Sequence, residues 1–233
     1  MQAQRFVLDE TRQRWCHGPI DLIIQAEGQP DAVAAAHASA WTEFEKTLLQ
    51  LVQELPLLRC PVQVGAANPF KGPVARTMWQ ACQPLARVDE QGFITPMAAV
   101  AGAVAQHLLR HYARAGVLRA SVNNGGDIAL HLSAGQRWRL GVVSDIHQAL
   151  SQAQAPGGAR TDAQFDLDAD AGVGGVATSG WSGRSFSLGI ADSVTVLAAT
   201  AAQADAAATM IANQVDIDPV SYTHLTLPTI YSV

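Results

Sequence analysis

The 233 residues are 48% hydrophobic and 15% charged, enough for one sizeable core and ordinary for a folded chain, which excludes disorder as the overall state. The 15 Lys and Arg against 20 Asp and Glu give a formal net charge of −5 and a pI near 5.7, and no basic cluster stands out, so a nucleic-acid partner is not expected. Cys16, Cys60 and Cys82 are odd in number and lie in no C-x-x-C spacing, which argues against a disulfide framework or zinc knuckle and for reduced thiols.

The opening MQAQRFVLDETRQRW is charged and interrupted where a signal peptide needs an apolar centre, and no apolar run approaches the roughly 20 residues of a membrane span. A cytoplasmic protein without a membrane partner is expected. IDLIIQAEG, 20–28, alternates and breaks at Gly28, as a strand does; PDAVAAAHASAWTEFEKTLLQLVQEL, 30–55, carries apolar residues at helical spacing, with Asp31 as its cap and Pro56 as its end. A shorter helix is predicted behind Pro73, within 68–85, and a long one over 94–116, opened by Thr95-Pro96 and closed near Gly116. The first half of the long helix is nearly all small. Ala98, Ala99, Ala101, Gly102, Ala103 and Ala105 leave little side chain between its backbone and whatever lies on it, be that a helix, a sheet or a planar ligand.

Residues 117–132 read as strand, turn, strand, and 137–144 as a further strand. A loop is predicted over 150–163, broken by Pro156-Gly157-Gly158, and 173–189 is rich in Gly and Ser between apolar segments. The alternating SVTVLAA, 193–199, is a strand, and 201–215 is a helix by its alanine content. Strands and helices alternate with no shift in composition, so the expected class is α+β in a single domain.

Three segments carry chemistry. In SVNNGGDIAL, 121–130, consecutive Gly125 and Gly126 let the backbone adopt φ > 0 and come close to an anion, the amides of Asn123 and Asn124 can bond a phosphate or the turn itself, and Asp127 can accept from a ribose hydroxyl or approach a metal. The same residues also make a plain hairpin with Asp127 satisfying local amides. In ATSGWSGRS, 177–185, Thr178, Ser179, Ser182 and Ser185 offer hydroxyls, Gly180 exposes its amide, and Arg184 suits a bidentate phosphate contact; a surface loop is the alternative, and no His or Cys base lies near in sequence to activate a serine. In ADAAAT, 204–209, Asp205 and Thr209 stand four apart on the predicted helix, on one face and in reach of a hard cation such as Mg²⁺. The alternative makes Asp205 a first-turn acid favoured by the helix dipole, with Thr209 bonded back to a carbonyl. His107 and His111 have ligand spacing but no intervening Glu and are read as surface residues, and 166–172, which hints at a calcium loop, is read as an edge strand with solvated aspartates.

Taken in order, FITPMAAVAGAVA, VNNGGDIAL, GVATSGWSGRSFSLGIADSVTVLA and ADAAATMIAN resemble the UPF0280 family, a branch of the ApbE-like superfamily whose best-known members are FAD:protein FMN transferases. The similarity runs from Trp15 to Val215. It implies an ApbE-like α+β domain with mixed or antiparallel sheets packed by helices. It also implies that Asn124 to Asp127 and Thr178 to Gly180 face a flavin nucleotide such as FAD, while Asp205 and Thr209 ligate Mg²⁺; Asn123 and Arg184 join the expected nucleotide site on their side-chain chemistry. The transferases carry a lysine at the glycine-rich helix start, where this chain has PMAAVAGAVA, and a histidine segment that WSGRSFSLGIADS lacks. Transfer of FMN by the known route is therefore in doubt, and three readings follow: a flavin- and Mg²⁺-binding protein of transferase type, a non-catalytic binding or oligomeric scaffold protein, or a Mg²⁺-dependent hydrolase of a dinucleotide pyrophosphate. VSYTHLTLPT, 220–229, resembles translated sequencing adapter, so the expected domain covers 1–219 with its natural C-terminus truncated, and 220–233 is an expected non-native tail, which removes His224 from consideration.

Overall fold

The alternation over 20–28 produces the strand at the heart of the main sheet. A computed structural model describes residues 2–87, 93–142, 161, 163–181 and 188–216. The seven-stranded sheet contains β1 (Gln4–Val7), β2 (Arg12–His17), β3 (Ile20–Gly28), β4 (Val117–Asn124), β5 (Asp127–Leu132), β8 (Gly175–Ser179) and β9 (Val194–Ala198), ordered β1-β2-β3-β4-β5-β8-β9. Each neighbouring pair in it is antiparallel. A second, two-stranded sheet pairs β6 (Arg137–Val142) with β7 (Ala163–Asp168).

Period two decides which face each strand buries. Trp15 of β2, Leu22 and Ile24 of β3 and Val122 of β4 turn to one face, which α1 (Pro30–Leu58), α2 (Pro73–Cys82), α3 (Val100–Leu109) and α4 (Ala201–Gln214) cover. Trp15 is wholly buried, edge-on to Trp41 at 5.2 Å and beside Phe44 at 5.6 Å, contacts that add about 0.5–1.5 kcal/mol each beyond their area. On the opposite face Leu130 and Val176 pack against Trp138 and Leu167, so the β6–β7 ribbon covers that end of the sheet. Arg119 fastens it there, bonded to Glu27 of β3 at 2.7 Å and to the Arg137 carbonyl at 3.0 Å, with its guanidinium 4.8 Å from the Trp138 ring.

The α+β class holds. Several local expectations do not. Pro56 does not end α1: the helix continues to Leu58, because only the bond from residue 56 is lost and the Arg59 N–H still reaches the Leu55 carbonyl at 3.2 Å. Asp31 stands inside the first turn, with Gln29 at the cap position. The long helix predicted over 94–116 is a 3-10 turn, Pro96–Ala99, followed by α3, which stops at Leu109. His107 is buried rather than on the surface, since α1 lies over that side of α3: its Nε2 accepts from Arg110 at 3.3 Å and sits 3.8 Å from Glu43, while His111 meets Ser39 at 2.7 Å. Desolvation first, then Arg110, push His107 down to about 4, so it is a neutral imidazole at pH 7. Residues 177–179, which the loop alternative includes, belong to strand β8. Asp166 and Asp168 of β7 pair with Arg139 and Arg137. Arg184, Ser182, Ser185, nearly all of the loop at 150–163 and the tail at 220–233 lie outside the described residues.

Candidate functional site

The turn between β4 and β5 is a two-residue hairpin, with Asn124 opposite Asp127 and both central glycines at positive φ, +70° for Gly125 and +115° for Gly126. That pair of angles matches the right-handed twist of the strands, and only residues without a Cβ adopt it without strain. Asn123 serves the turn itself, its Oδ1 accepting from the Gly126 N–H at 2.9 Å. Asn124 points its amide across to α3 and donates to the Ala101 carbonyl at 3.2 Å. A Cβ built on Gly126 meets nothing within 4 Å, so this glycine is required by angle and not by space.

The start of α3 supplies the second part. Its cap position is Ala99, which has no oxygen to offer the free amides of the first turn. Asp205, from the second turn of α4, takes that role from another helix: Oδ2 accepts from the Gly102 N–H at 2.8 Å, and the Ala101 N–H also bonds the carboxylate. Such an approach leaves no room for a side chain, since a Cβ on Gly102 would stand 2.3 Å from the Ala201 carbonyl and 2.9 Å from the Asp205 Cβ. The small-residue run therefore does two things. Ala99 and Ala103 are buried in the core, while Ala98, Val100 and Ala101 border a cavity. Gln106 completes the junction by accepting from the Ala202 N–H at 3.2 Å.

That cavity, about 660 Å³, is where three of the predicted segments meet. Asn124, Gly125 and Asp127 from the hairpin, Thr178 from β8, and Asp205, Thr209 and Asn213 from α4 are in its lining, with Thr95. Ile20, Ile94, Met97, Val104 and Met210 give it an apolar wall, and the exposed Phe93 and Leu188 also border it. Asn123, Gly126, Ser179 and Gly180 are not among the lining residues. Ser179 is buried, and Gly180 is needed because the Asp192 carbonyl would lie 2.2 Å from its Cβ. The first-turn alternative for Asp205 fails, since α4 begins at Ala201 and has no acid in its first turn. The apolar wall and the backbone amides of α3 escaped notice in the sequence, where the only hint was the run of alanines.

Two carboxyls, Asp127 and Asp205, share the cavity. Burial, opposed by the Thr178 N–H, pushes Asp127 up to about 7. Asp205, only 7% exposed, is raised well above the usual carboxylate range, first by burial and then by the charge of Asp127, with the two α3 amides pulling the other way. Among the described residues no Lys or Arg pairs with either acid, and no Lys, Arg or His lines the cavity. No cluster of three His, Cys, Asp or Glu suited to a metal occurs among the described residues. A hard cation that keeps several waters and shares its coordination with a phosphate needs only one or two carboxylates, so Asp127, Asp205 and the Thr209 hydroxyl fit Mg²⁺ in kind and number. A cation there would also offset the cost of burying both acids and the charge of Asp127 on Asp205.

Residues 4–223 match the family model described as AbpE bacteria. The UPF0280 protein of Methanopyrus kandleri is 34% identical over 218 residues, covering 91% of this chain and 74% of that protein. The chain belongs to the UPF0280 family, within the ApbE-like superfamily. The UPF0280 proteins of Methanothermobacter thermautotrophicus and Methanosphaerula palustris are 38% identical over 138 residues and 37% over 123, covering 55% and 52% of this chain. In those two the match spans 46% and 47% of their own length, so this UPF0280 chain aligns with about half of each. Among solved structures, the apo form of the Pseudomonas stutzeri flavinyl transferase ApbE aligns with TM-score 0.44 and 16% identity, covering 89% of this chain and 83% of that one. No helix among the described residues of this UPF0280 protein is long and apolar enough to cross a membrane.

Proposed function

We propose that this UPF0280 protein binds a flavin or related nucleotide, FAD or FMN, together with Mg²⁺ in the cavity between the β4–β5 hairpin, β8, α3 and α4. The observation that carries the reading is the meeting of Asp127, Asp205 and Thr209, distant in sequence, in one cavity that also has an apolar wall. Asp205, Thr209 and Asp127 would hold the metal, and Gly125 and Asn124 would present amides to phosphate or ribose. Thr178 would border the nucleotide, and the wall of Ile20, Ile94, Met97 and Met210 would take its ring. When bound, Mg²⁺ supplies charge neutralisation of the phosphates. The protein's own share is orientation: backbone amides at the hairpin and a wall that excludes water from the ring. Arg184 belongs to the proposal through its place in the same segment.

Thermal unfolding with FAD tests it. At about 100 times its dissociation constant a ligand adds about 2.7 kcal/mol, which for a chain of this size raises Tm by roughly 5–10 °C. The rise is expected with Mg²⁺ and lost with EDTA. No response to FAD or FMN with Mg²⁺, or an equal response with EDTA, overturns the proposal. A non-catalytic binding protein is the second reading, favoured by a described cavity lining in which both acids are given to the metal and no Lys or His stands as a base. Release of FMN and AMP from FAD contradicts it.

A further inference from the structure

The sheet has an edge at β1, on the far side of β2 and β3 from the hairpin. An edge strand presents unpaired N–H and C=O groups, and soluble proteins blunt such edges with charge, proline or a covering segment. Here every residue of β1 is exposed, and the apolar ones lie together: Val7 is 76% exposed, Phe6 49% and the adjoining Leu8 48%. The Leu8 N–H bonds inward to the Arg12 carbonyl at 2.9 Å. Alternation along a strand then directs the N–H and C=O of Val7 and Arg5 outward from the edge. Arg5 lies over the Trp41 ring at 5.1 Å and pairs with no carboxylate among the described residues.

We infer that β1 pairs antiparallel with β1 of a second copy of this chain, about a two-fold axis through Val7, joining the two seven-stranded sheets into one. That register is singled out by the residues themselves. Centred on Val7, each Val7 exchanges both backbone bonds with Val7 of the partner subunit, and Phe6 falls opposite Leu8 of the partner subunit. Arg5 falls beside the turn of the partner subunit; Asp9 is already held there by Arg12 of its own chain at 2.6 Å, so the exposed Glu10 of the partner subunit is the acid that meets the cation. Centred instead on Phe6, Arg5 would face Val7 and the charges would go unmatched. A two-fold pairing buries the same patch on both copies and closes, leaving β9 as the outer edge at each end. The interface lies away from the cavity, so it stands or falls separately from the proposed ligand.

Sedimentation equilibrium of the full chain, from low micromolar to hundreds of micromolar, should show a species of twice the 24.6 kDa chain mass. Val7→Lys sets two like charges on the axis and should return it to a single chain with an unchanged far-UV spectrum. A second variant does not depend on loss of association. Cα atoms across a hydrogen-bonded antiparallel pair are about 5.5 Å apart, inside the range a disulfide spans. In a Cys60→Ser background, Val7→Cys should therefore form a disulfide-linked dimer on mild oxidation, and Leu8→Cys should not. A wild-type chain that stays single at every concentration overturns the inference. So does a dimer that persists in Val7→Lys and gives no Val7→Cys cross-link.

Discussion

Replacing Gly102 by alanine separates packing from helix propensity. On propensity alone an alanine inside α3 should stabilise the protein by about 1 kcal/mol. The structure predicts the opposite sign. The new Cβ would lie 2.3 Å from the Ala201 carbonyl oxygen and 2.9 Å from the Asp205 Cβ, so α3 and the start of α4 must separate. Overpacking of this kind costs about 1–3 kcal/mol. Separation also stretches the 2.8 Å bond from the Gly102 N–H to Asp205, and a hydrogen bond to a buried carboxylate is worth about 1.5–3 kcal/mol. After the propensity gain is subtracted, a net loss of about 1.5–5 kcal/mol remains, or roughly 3–20 °C in Tm. Urea unfolding followed by tryptophan fluorescence reads the free energy, with Gly126→Ala as control, since that site has open space and only an unfavourable angle, costing about 1–2 kcal/mol. A Gly102→Ala protein as stable as wild type, or more so, would refute the close-packed junction of α3 and α4.

Asp205→Ala leaves the amides of Gly102 and Ala101 without their acceptor and should cost about 1–3 kcal/mol while abolishing any Mg²⁺-dependent stabilisation; Asp205→Asn keeps an acceptor and should lose the metal response with little loss of stability, both read by thermal unfolding with and without Mg²⁺. Asp127 has its folded pKa raised from 3.8 to about 7, so the native state holds a proton the unfolded chain has given up, and stability of the metal-free protein should fall as pH rises between those values, by at most about 4 kcal/mol. Asp127→Asn should flatten that slope, and an unchanged Tm–pH profile in the variant would show that the carboxyl is not the source. Arg119→Met removes the bonds to Glu27 and to the Arg137 carbonyl and should loosen the β6–β7 ribbon, at a cost of about 1–2 kcal/mol, seen as faster amide exchange in Arg137–Val142 than in β3.

Much of the frame was legible because local pattern and tertiary role agree. Period two in 20–28 marks a strand with one buried face, the paired glycines at 125 and 126 mark a tight hairpin, and the alanine-rich stretch after Thr200 marks a helix, whose cap is that threonine. Errors came where a distant segment decides the outcome. Nothing local distinguishes His107 on a solvated face from His107 beneath α1, and the helix past Leu109 was overextended because Arg110 to Gly116 is compatible with helix by composition. The two N-terminal strands went unread, since their alternation is short and heavily charged. At the site, spacing placed Asp205 and Thr209 on one face, but that Asp205 also caps α3 depends on how two helices cross, and no window of sequence contains both.

The most direct test of the account is a crystal structure of the protein soaked with FAD and Mn²⁺, with data collected to locate the metal by anomalous scattering. One strong peak is expected, bonded to an Asp205 carboxylate oxygen and the Thr209 hydroxyl, with the ligand's phosphates beside Gly125 and its ring against Met97 and Met210. A metal bound elsewhere, or a ligand-filled cavity in which Asp205 still bonds only the α3 amides, would contradict it.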